Sequence, residues 1–287
     1  MRLPSLLLAA LLPLAASADT LYRVSSLISE RSPGEIVRVL PGPDLPILHL
    51  PTAMRIGAFD AASRRLFLTS DQYDAKLYVV DLRDQSLTAT AVDLRALSSC
   101  CALDAQTSQL FAIRGGNELV RVDAATGAVA KVLTLPGSFS MLASDPARGR
   151  SFLLREDSPE VWSLDLATLT TAKLMQTPVM SAFVDGSTGT LYVSTPLDGE
   201  SFIAADLFAI DPSTSSSHLV LHNPGGVPVA FDTASKRIYV QRWNDFNVTA
   251  LWSVDLATGA ASLPITTGGD YNSYVAVPAP GRPRAVR

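Results

Sequence analysis

A short phrase recurs along the chain, and its spacing constrains the fold more than any other feature. The phrase is an apolar run closed by an Asp and a turn, and it reads LYVVDLRDQSL, LVRVDAATGAV, VWSLDLATLTT, LFAIDPSTSSS and LWSVDLATGAA. The closing residues of the five runs, 42 to 46 residues apart, are Asp81, Asp123, Asp165, Asp211 and Asp255. A period of about 40 to 50 residues is typical of propellers and solenoid arrays.

A second apolar run with its own turn aspartate precedes each phrase by about twenty residues in the repeat. These earlier aspartates are Asp60, Asp104, Asp145, Asp185 and Asp232. Each unit therefore reads as four strands with no helical period. An Asp side chain accepts a backbone N–H two residues on and closes a tight turn, so we interpret the ten aspartates as turn residues and not as a catalytic set.

Four-stranded units that repeat radially form a β-propeller. Five units are complete, and the two ends of the chain supply a sixth: YNSYVAVPAPGRPRAVR, from Tyr271, matches the opening half of a unit, and GEIVRVLPGPDLPILHL, from Gly34, matches the closing half. The sequence thus predicts an all-β fold, a six-bladed β-propeller whose closing blade is built from both termini. Seven blades is the alternative, because LYRVSSLIS, from Leu21, is unassigned and could begin an extra blade.

The first residues have the pattern of a secretory signal peptide. Arg2 precedes an apolar run at 3–15, and Ala-Ser-Ala at 16–18 is a small-residue cleavage site. The run is too short to span a bilayer, which takes about 20 apolar residues. We expect residues 1–18 to be the signal and 19–287 a single propeller domain. The mature protein is then secreted or extracytoplasmic (periplasmic in a bacterium), monomeric and without a transmembrane segment.

Composition excludes one large class of partner. The chain has a formal net charge of −4 and no block of basic residues. Binding to nucleic acid needs clustered Lys and Arg, so we expect no nucleic-acid partner. With 47% hydrophobic and 17% charged residues, the chain can bury a large core and does not resemble a disordered protein.

The pattern FD…LYV…LYVVDLATG resembles the YVTN-type propellers and, more loosely, the gluconolactonase- and strictosidine-synthase-like β-propeller superfamily. The resemblance covers nearly the whole mature chain and implies the propeller fold. It is weak for activity, because propellers carry many unrelated functions and a function must be argued from a site.

In gluconolactonase-like propellers, acidic and amide side chains at the starts of the inner strands hold a divalent metal. The matching positions here, five residues before each inner turn aspartate and at the corresponding place in the closing blade, are Arg55, Ser99, Ser140, Met180, Val227 and Ser273. None is Asp, Glu or Asn, and hard cations need several oxygen ligands, usually with carboxylates. We therefore predict no cofactor and no metal site of that kind.

Cys100 and Cys101 are the two cysteines of the chain, and they are adjacent. Export to an oxidising compartment favours pairing. One interpretation is a vicinal disulfide that forms a sulfur platform under a ligand near the channel mouth. The other is two small thiols in a well-packed strand, since Cys is among the most buried residue types.

Arginines recur ten residues after the inner turn aspartate, at Arg114, Arg155 and Arg242, where the other blades have Ser70 and Thr195. In a propeller this position ends the second strand, on the face where the inner strands begin. Together with Arg55, these guanidiniums could bind a carboxylate or phosphate. The alternative is local pairing with the nearby acids Glu118, Glu156, Asp157 and Asp245.

The longest loops lie on the same face, which is the usual binding surface of a repeat array. Tyr73, Trp243 and Phe246 are aromatic candidates there, with blade capping as the alternative, and Asn247 begins a glycosylation acceptor, Asn-Val-Thr. The two histidines of HLVLH, four apart on a strand, lie about 13 Å from each other and cannot share one zinc. No nucleophile elbow, phosphate-binding loop or CxxC is present.

These observations favour a secreted propeller that binds a small-molecule or extracellular protein ligand at the loop-rich channel mouth, without metal or triad chemistry. The alternative is a metal-independent cyclase or isomerase of a natural-product-type substrate, or a lactonase-like hydrolase, with the same mouth as active site. The predicted ligand contacts are Arg55, Ser99, Cys100, Cys101, Ser140, Met141, Arg114, Arg155, Arg242, Trp243 and Tyr73. In the enzyme, Met180 would add to the apolar floor.

Overall fold

A computed structural model describes residues 20–26, 34–40, 44–70, 75–97, 99–107, 109–197, 205–244, 247–264 and 271–277. In these ranges the chain forms β-strands and two short 3-10 helices, Leu94–Ala96 and Pro146–Arg148. The strands make six antiparallel sheets, which are the blades of a six-bladed β-propeller. No helix in the described ranges has the length and apolar character that a membrane span requires.

The strands before the first repeat are β1 (Thr20–Ser26), β2 (Glu35–Leu40) and β3 (Leu45–His49). Blade 1 consists of β4 (Met54–Asp60), β5 (Arg65–Ser70), β6 (Lys76–Asp81) and β7 (Ser86–Asp93). Blade 2 consists of β8 (Ser99–Asp104), β9 (Gln109–Arg114), β10 (Glu118–Val122) and β11 (Val129–Thr134). Blade 3 consists of β12 (Phe139–Asp145), β13 (Arg150–Arg155), β14 (Glu160–Asp165) and β15 (Thr171–Gln176).

Blade 4 consists of β16 (Ser181–Val184), β17 (Leu191–Pro196), β18 (Ala205–Asp211) and β19 (Ser216–Leu221). Blade 5 consists of β20 (Val227–Asp232), β21 (Arg237–Asn244) and β22 (Asn247–Asp255). The last strand is β23 (Tyr271–Val277), and the closing blade has the order β23-β1-β2-β3.

The closing blade confirms that both termini build one sheet, but its composition differs from the expectation in one respect. The segment from Tyr271 supplies only the innermost strand, β23. The second strand is β1, which pairs with β23 from Thr20↔Val277 to Ser26↔Tyr271. The unassigned segment at Leu21 therefore completes the sixth blade, and the seven-blade alternative is wrong. Residues 278–287, which the repeat alignment placed in the ring, lie outside the described residues.

The inner strands of the six blades surround the axis in the order β4, β8, β12, β16, β20 and β23, with β23 next to β4. All of them run in the same direction. We call the end where they begin the mouth face, marked by Arg55 and Ser99. The opposite end, with the aspartate turns, is the turn face, marked by Asp60 and Asp104.

The turn aspartates have the predicted structural role in nine of the ten positions. Each accepts the backbone N–H of the second residue after it, over 2.8–3.0 Å; the nine are Asp60, Asp81, Asp104, Asp123, Asp165, Asp185, Asp211, Asp232 and Asp255. Asp145 is the exception. It is followed by Pro146 in a 3-10 turn, lacks this bond, and forms an ion pair with Arg148 at 3.1 Å.

The core lies between neighbouring blades, because each sheet buries both faces. The interface of blades 2 and 3 is typical: Phe111 and Leu119 pack against Leu153 and Leu164, all at most 4% exposed. Burial of such side chains contributes about 1.5–3 kcal/mol each. The closing blade is held in the same way, by a cluster that joins it to blade 5 and consists of Leu21, Val39, Ala230, Tyr239 and Leu251.

Blade 5 has three strands in the described residues, where the repeat predicts four. Beyond its outer turn, Val254 forms an isolated bridge with Ala261, and Ser262 N–H donates to Ser253 O over 2.8 Å. The described part of the ladder stops there. Pro264, two residues on, has no N–H to continue it.

Side chains also link the turns of neighbouring blades on the turn face. Arg148 of blade 3 donates to the carbonyls of Gly186 and Ser187 in blade 4, over 3.3 and 3.0 Å. Lys236 of blade 5 donates to Asp185 Oδ2 over 2.5 Å and to Ser187 Oγ over 2.7 Å. The inner turn of blade 4 is therefore held from both sides.

Candidate functional site

The mouth face carries the residues that the repeat alignment singled out. Arg55 is the second residue of β4, Ser99 begins β8 and Ser140 is the second residue of β12. Met180 directly precedes β16, and Val227 begins β20. The alignment therefore places these positions correctly at the starts of the inner strands, around the axis.

Two serine hydroxyls join neighbouring inner strands at the mouth. Met141 N–H donates to Ser99 Oγ over 2.9 Å, which links β12 to β8. Ser181 Oγ donates to Pro228 O over 2.5 Å, which links β16 to β20, and lies 2.7 Å from Ser194 Oγ. The bond to Met141 gives Ser99 a structural role among the inner strands, whether or not a ligand also contacts it.

Arg55 differs from the other arginines of this face. Its side chain is exposed, and it forms no ion pair or hydrogen bond with the described residues. Its backbone carbonyl accepts Thr69 Oγ1 over 3.5 Å. The part of the chain that the structure describes therefore leaves the Arg55 guanidinium unpaired at the mouth.

Cys100 and Cys101 are paired in a disulfide, and the peptide bond between them is cis. Cys101 is 4% exposed and packs in the core between blades 1 and 2, with Ala58 and Ala112. Cys100 is half-buried against the same cluster. Of the two sulfurs, only that of Cys100 belongs to a residue with appreciable exposure, so a ligand platform would involve Cys100 while Cys101 contributes to the core.

Arg114 is engaged in its own blade. Its Nε and Nη2 donate to Glu118 Oε2 over 2.8 and 2.7 Å, and Lys131 Nζ donates to Glu118 Oε1 over 2.8 Å. Hydrogen bonds from Lys131 and Arg114 lower the pKa of Glu118 below its usual value. The three side chains tie together β9, β10 and β11 at the mouth face.

Arg155 forms the corresponding group in blade 3. Its Nε donates to Asp157 over 2.6 Å, and Nη1 lies 3.4 Å from Glu160 Oε2. Lys173 Nζ donates to Glu160 Oε1 over 2.5 Å and Trp162 Nε1 donates to Oε2 over 3.0 Å. Hydrogen bonds from Lys173 and Trp162 lower the pKa of Glu160.

Sequence reasoning foresaw only part of these groups. It named Glu118 and Asp157 as partners but missed Glu160, Lys131 and Lys173. Glu156, also named, instead accepts Ser138 Oγ over 2.7 Å. The repeat alignment could have revealed them, because Glu118 and Glu160 occupy the same position in consecutive repeats. Lys131 and Lys173 are related in the same way.

The remaining predicted contacts fall into two groups. The first group, Arg242 and Met141, has described side chains with contacts of their own. Arg242 Nε donates to Gly225 O over 3.2 Å, and its guanidinium carbon lies 5.8 Å from the centre of the Trp252 ring. Met141 Sδ accepts a hydrogen bond from Ser151 Oγ over 3.3 Å. For Trp243 and Asn247 only the backbone is described, in β21 and β22. Outside the described residues lie Tyr73, Asp245 and Phe246.

Among the described residues, no group of three or more His, Cys, Asp or Glu side chains could hold a metal ion. The described residues include one pair of a histidine and a carboxylate, His222 Nδ1 and Asp206 Oδ1, which are 2.9 Å apart. His222 follows the outermost strand of blade 4, away from the axis. The expectation that no metal is bound at the mouth stays a prediction from the residue types found there.

A groove of about 1080 Å³ lies between blades 1 and 2. Its walls come from β5, β6 and β7 on one side and from β9, β10 and β11 on the other. None of the predicted ligand contacts lines it. Repeat alignment could not reveal this groove, because it forms between side chains of two different units.

No family model matches the chain, and no curated protein matches it in sequence. Solved structures do resemble it. TolB from Acinetobacter baumannii superposes with a TM-score of 0.65 at 12% identity, over 89% of this chain and 66% of that one. A chain of a nidogen/laminin complex gives 0.64 at 13% identity, over 89% and 97%. A putative TolB from Agrobacterium tumefaciens gives 0.59 at 12% identity, over 92% and 100%.

This chain spans just under two thirds of the Acinetobacter TolB chain. At such low identities, the likeness shows the fold alone. It confirms the β-propeller part of the resemblance seen in the sequence, while the narrower likeness to YVTN-type and gluconolactonase-like proteins stays a prediction.

Proposed function

We propose that the chain is an exported binding protein that holds a small anionic ligand at the mouth face of the propeller. Residues 1–18 direct export, and 19–287 form the mature binding domain, outside the cytoplasm. The contacts are drawn from the set named above, with Arg55 as the electrostatic anchor.

One observation supports the position and charge of this ligand more than any other. Arg55 has an exposed guanidinium with no acidic partner among the described residues, whereas Arg114 and Arg155 are paired with carboxylates within their own blades. A free guanidinium offers bidentate hydrogen bonds to a carboxylate or phosphate. The inner-strand positions around it contain no acid to compete for it.

The other proposed contacts supply shape and weaker interactions. Half-buried Cys100, Ser140 and Met141 form the apolar and hydroxyl-bearing surroundings of the axis. Arg114, Arg155 and Arg242 would have to give up existing contacts to bind directly, so we assign them the surrounding positive potential. Tyr73 and Trp243 are proposed as aromatic contacts from the loops.

Titration with anilinonaphthalene sulfonate, a fluorescent anionic and apolar probe, tests this proposal. Arg55→Ala should weaken probe binding by about 10- to 100-fold, the effect of losing a charge-assisted interaction of about 1.5–3 kcal/mol. Arg114→Ala, which removes an arginine of the same face that is already paired, should change affinity by less than about threefold. Equal affinities of the Arg55→Ala variant and the unchanged protein would refute the proposal.

Export is tested separately. N-terminal sequencing of the protein recovered outside the cytoplasm should begin at Asp19. Recovery of the uncleaved chain in the cytoplasm alone would contradict the proposed location, and would leave the probe experiment to decide the binding site.

A further inference from the structure

The groove between blades 1 and 2 is a second candidate site, independent of the mouth. Its apolar floor includes Phe67, Val79 and Leu110. Higher on the blade 1 wall, Thr88 of β7 shares a face with Val79 and Phe67. The outer turn of blade 2 contributes only small residues to the other wall: Ala124, Ala125 and Ala128. These small side chains leave the outer part of the interface between blades 1 and 2 open.

Its length and width fit an extended chain. Six consecutive positions of β7, from Ser86 to Ala91, cover the lining residues of that strand, which is about 17 Å at ~3.3 Å per residue. The volume of about 1080 Å³ then gives a cross-section of about 65 Å², and an extended strand needs about 4.7 Å by 10 Å. β7 is also the outermost strand of its sheet, so its outer edge offers backbone groups.

The lining is acidic. Four carboxylates line the groove, from Asp60, Asp81, Asp84 and Asp123, against the two guanidiniums of Arg65 and Arg121. Arg65 is already 3.6 Å from Asp81. Asp84 and Asp123 are exposed, so they can meet a partner's positive charge at the rim.

Two of these carboxylates are held in their charged form. A hydrogen bond from Arg83 lowers the pKa of Asp81, and backbone N–H groups of Thr126 and Ala125 lower the pKa of Asp123. Arg83 and Arg65 both pair with Asp81, so the negative charge that the rim offers a partner comes mainly from the exposed Asp84 and Asp123.

We propose that this groove binds an extended segment of a partner protein in which basic residues alternate with apolar ones. The apolar side chains fill the space above Phe67 and Leu110, and the basic side chains meet the acidic rim. The apolar floor would bury the apolar side chains of the segment, and the charged rim would orient the segment through its basic side chains. The proposal does not depend on what binds at the mouth.

The test uses a fluorescein-labelled peptide of alternating Lys and Leu, with a Glu/Leu peptide of equal length as the charge control, and the mature protein. Fluorescence anisotropy should show binding of the Lys/Leu peptide that weakens with salt and at least about tenfold weaker binding of the Glu/Leu peptide. Arg55→Ala should leave this binding unchanged, which separates it from the mouth.

A pair of matched variants locates the site. Thr88→Trp fills the groove from an exposed position on β7, beside Val79, and Ala172→Trp introduces the same side chain at the aligned position of blade 3, which is also exposed but lines no such groove. Thr88→Trp should weaken peptide binding by about tenfold or more, and Ala172→Trp by less than about twofold. Ser86→Trp, from the same face of β7, serves as a second filling variant if the first does not fold by circular dichroism.

Three results would overturn the proposal. The first is equal affinity of the filled variants and the unchanged protein, or equal losses in Thr88→Trp and Ala172→Trp. The second is full competition by dodecylamine at the peptide's own concentration, which would identify a small cationic amphiphile as the occupant. The third is a dimer in sedimentation analysis that Thr88→Trp dissociates, which would identify a second copy of this chain.

Discussion

Gly127 lies directly against Ala91 of the neighbouring blade. A Cβ at Gly127 would come within 2.5 Å of the Ala91 carbonyl oxygen and 2.8 Å of its carbonyl carbon. The outer turn of blade 2 therefore touches the backbone of β7 beside the groove, at a place where only glycine fits. This contact fixes how closely the two outer edges approach.

Gly127→Ala should be much more destabilising than Gly259→Ala. Both residues follow Thr in an outer turn and have positive φ, 75° and 71°, but nothing lies within 4 Å of a Cβ at Gly259. Gly259→Ala should cost about 1 kcal/mol for the left-handed backbone alone. Gly127→Ala adds a clash with backbone of about 1–3 kcal/mol. Urea unfolding of both variants measures the difference, and equal costs would show that the contact with Ala91 is unimportant.

The clasp between Lys236 and Asp185 on the turn face leads to a second prediction. The Asp185 side chain is 2% exposed. Burial opposes its ionisation, but hydrogen bonds from Lys236 and Ser187 outweigh this, so its pKa lies below the usual value. Lys236→Met keeps the apolar stem over Phe231 and removes the ammonium, which should destabilise the fold by about 1–3 kcal/mol because the carboxylate loses its cation.

The matched control is Lys131→Met, which removes an ammonium from an exposed ion pair with Glu118. We expect little change in the midpoint of urea unfolding, because exposed pairs contribute little. If Lys236→Met were as mild as this control, the clasp would not hold the turns of blades 4 and 5 together.

Glu160 should make stability depend on acid pH. Its pKa in the folded protein is lowered by hydrogen bonds from Lys173 and Trp162, so its contribution is present above the pKa of the unfolded chain, about 4.3, and is lost as pH falls through the lower folded value. The melting temperature of Glu160→Gln should lie below that of the unchanged protein at pH 7, and the gap should narrow toward pH 3. A gap that stays constant over this range would mean that the charge of Glu160 contributes nothing.

The fold could be predicted from the sequence because its information is local and repeated. Asp81, Asp123 and Asp255 close turns by accepting backbone N–H groups two residues away, so a few neighbouring residues determine each turn. The closing blade was harder: β1 pairs with β23 across the whole chain, and no local pattern assigns Leu21 to the second place in that sheet.

The candidate site was less predictable because its chemistry depends on contacts between units. Gly127 and Gly259 read identically as Thr-Gly turns, and only the neighbouring blade distinguishes them. In the same way, the sequence predicts both Arg55 and Arg114 as ligand contacts at the mouth, but Glu118 pairs with Arg114 and no described residue pairs with Arg55. A single sequence without its packing cannot supply these differences.

Ser99 offers a last test, because the hub gives it a structural bond that its neighbour in the alignment lacks. Its Oγ accepts Met141 N–H over 2.9 Å and links two inner strands. Ser99→Ala leaves that half-buried N–H without its acceptor and should cost about 1–2 kcal/mol in urea unfolding. For Ser140→Ala, where the structure shows no such bond in the described residues, we expect less than about 0.5 kcal/mol. Should both variants unfold like the unchanged protein, the hydroxyl of Ser99 would be free for a ligand, and its place in the proposed mouth site would be strengthened.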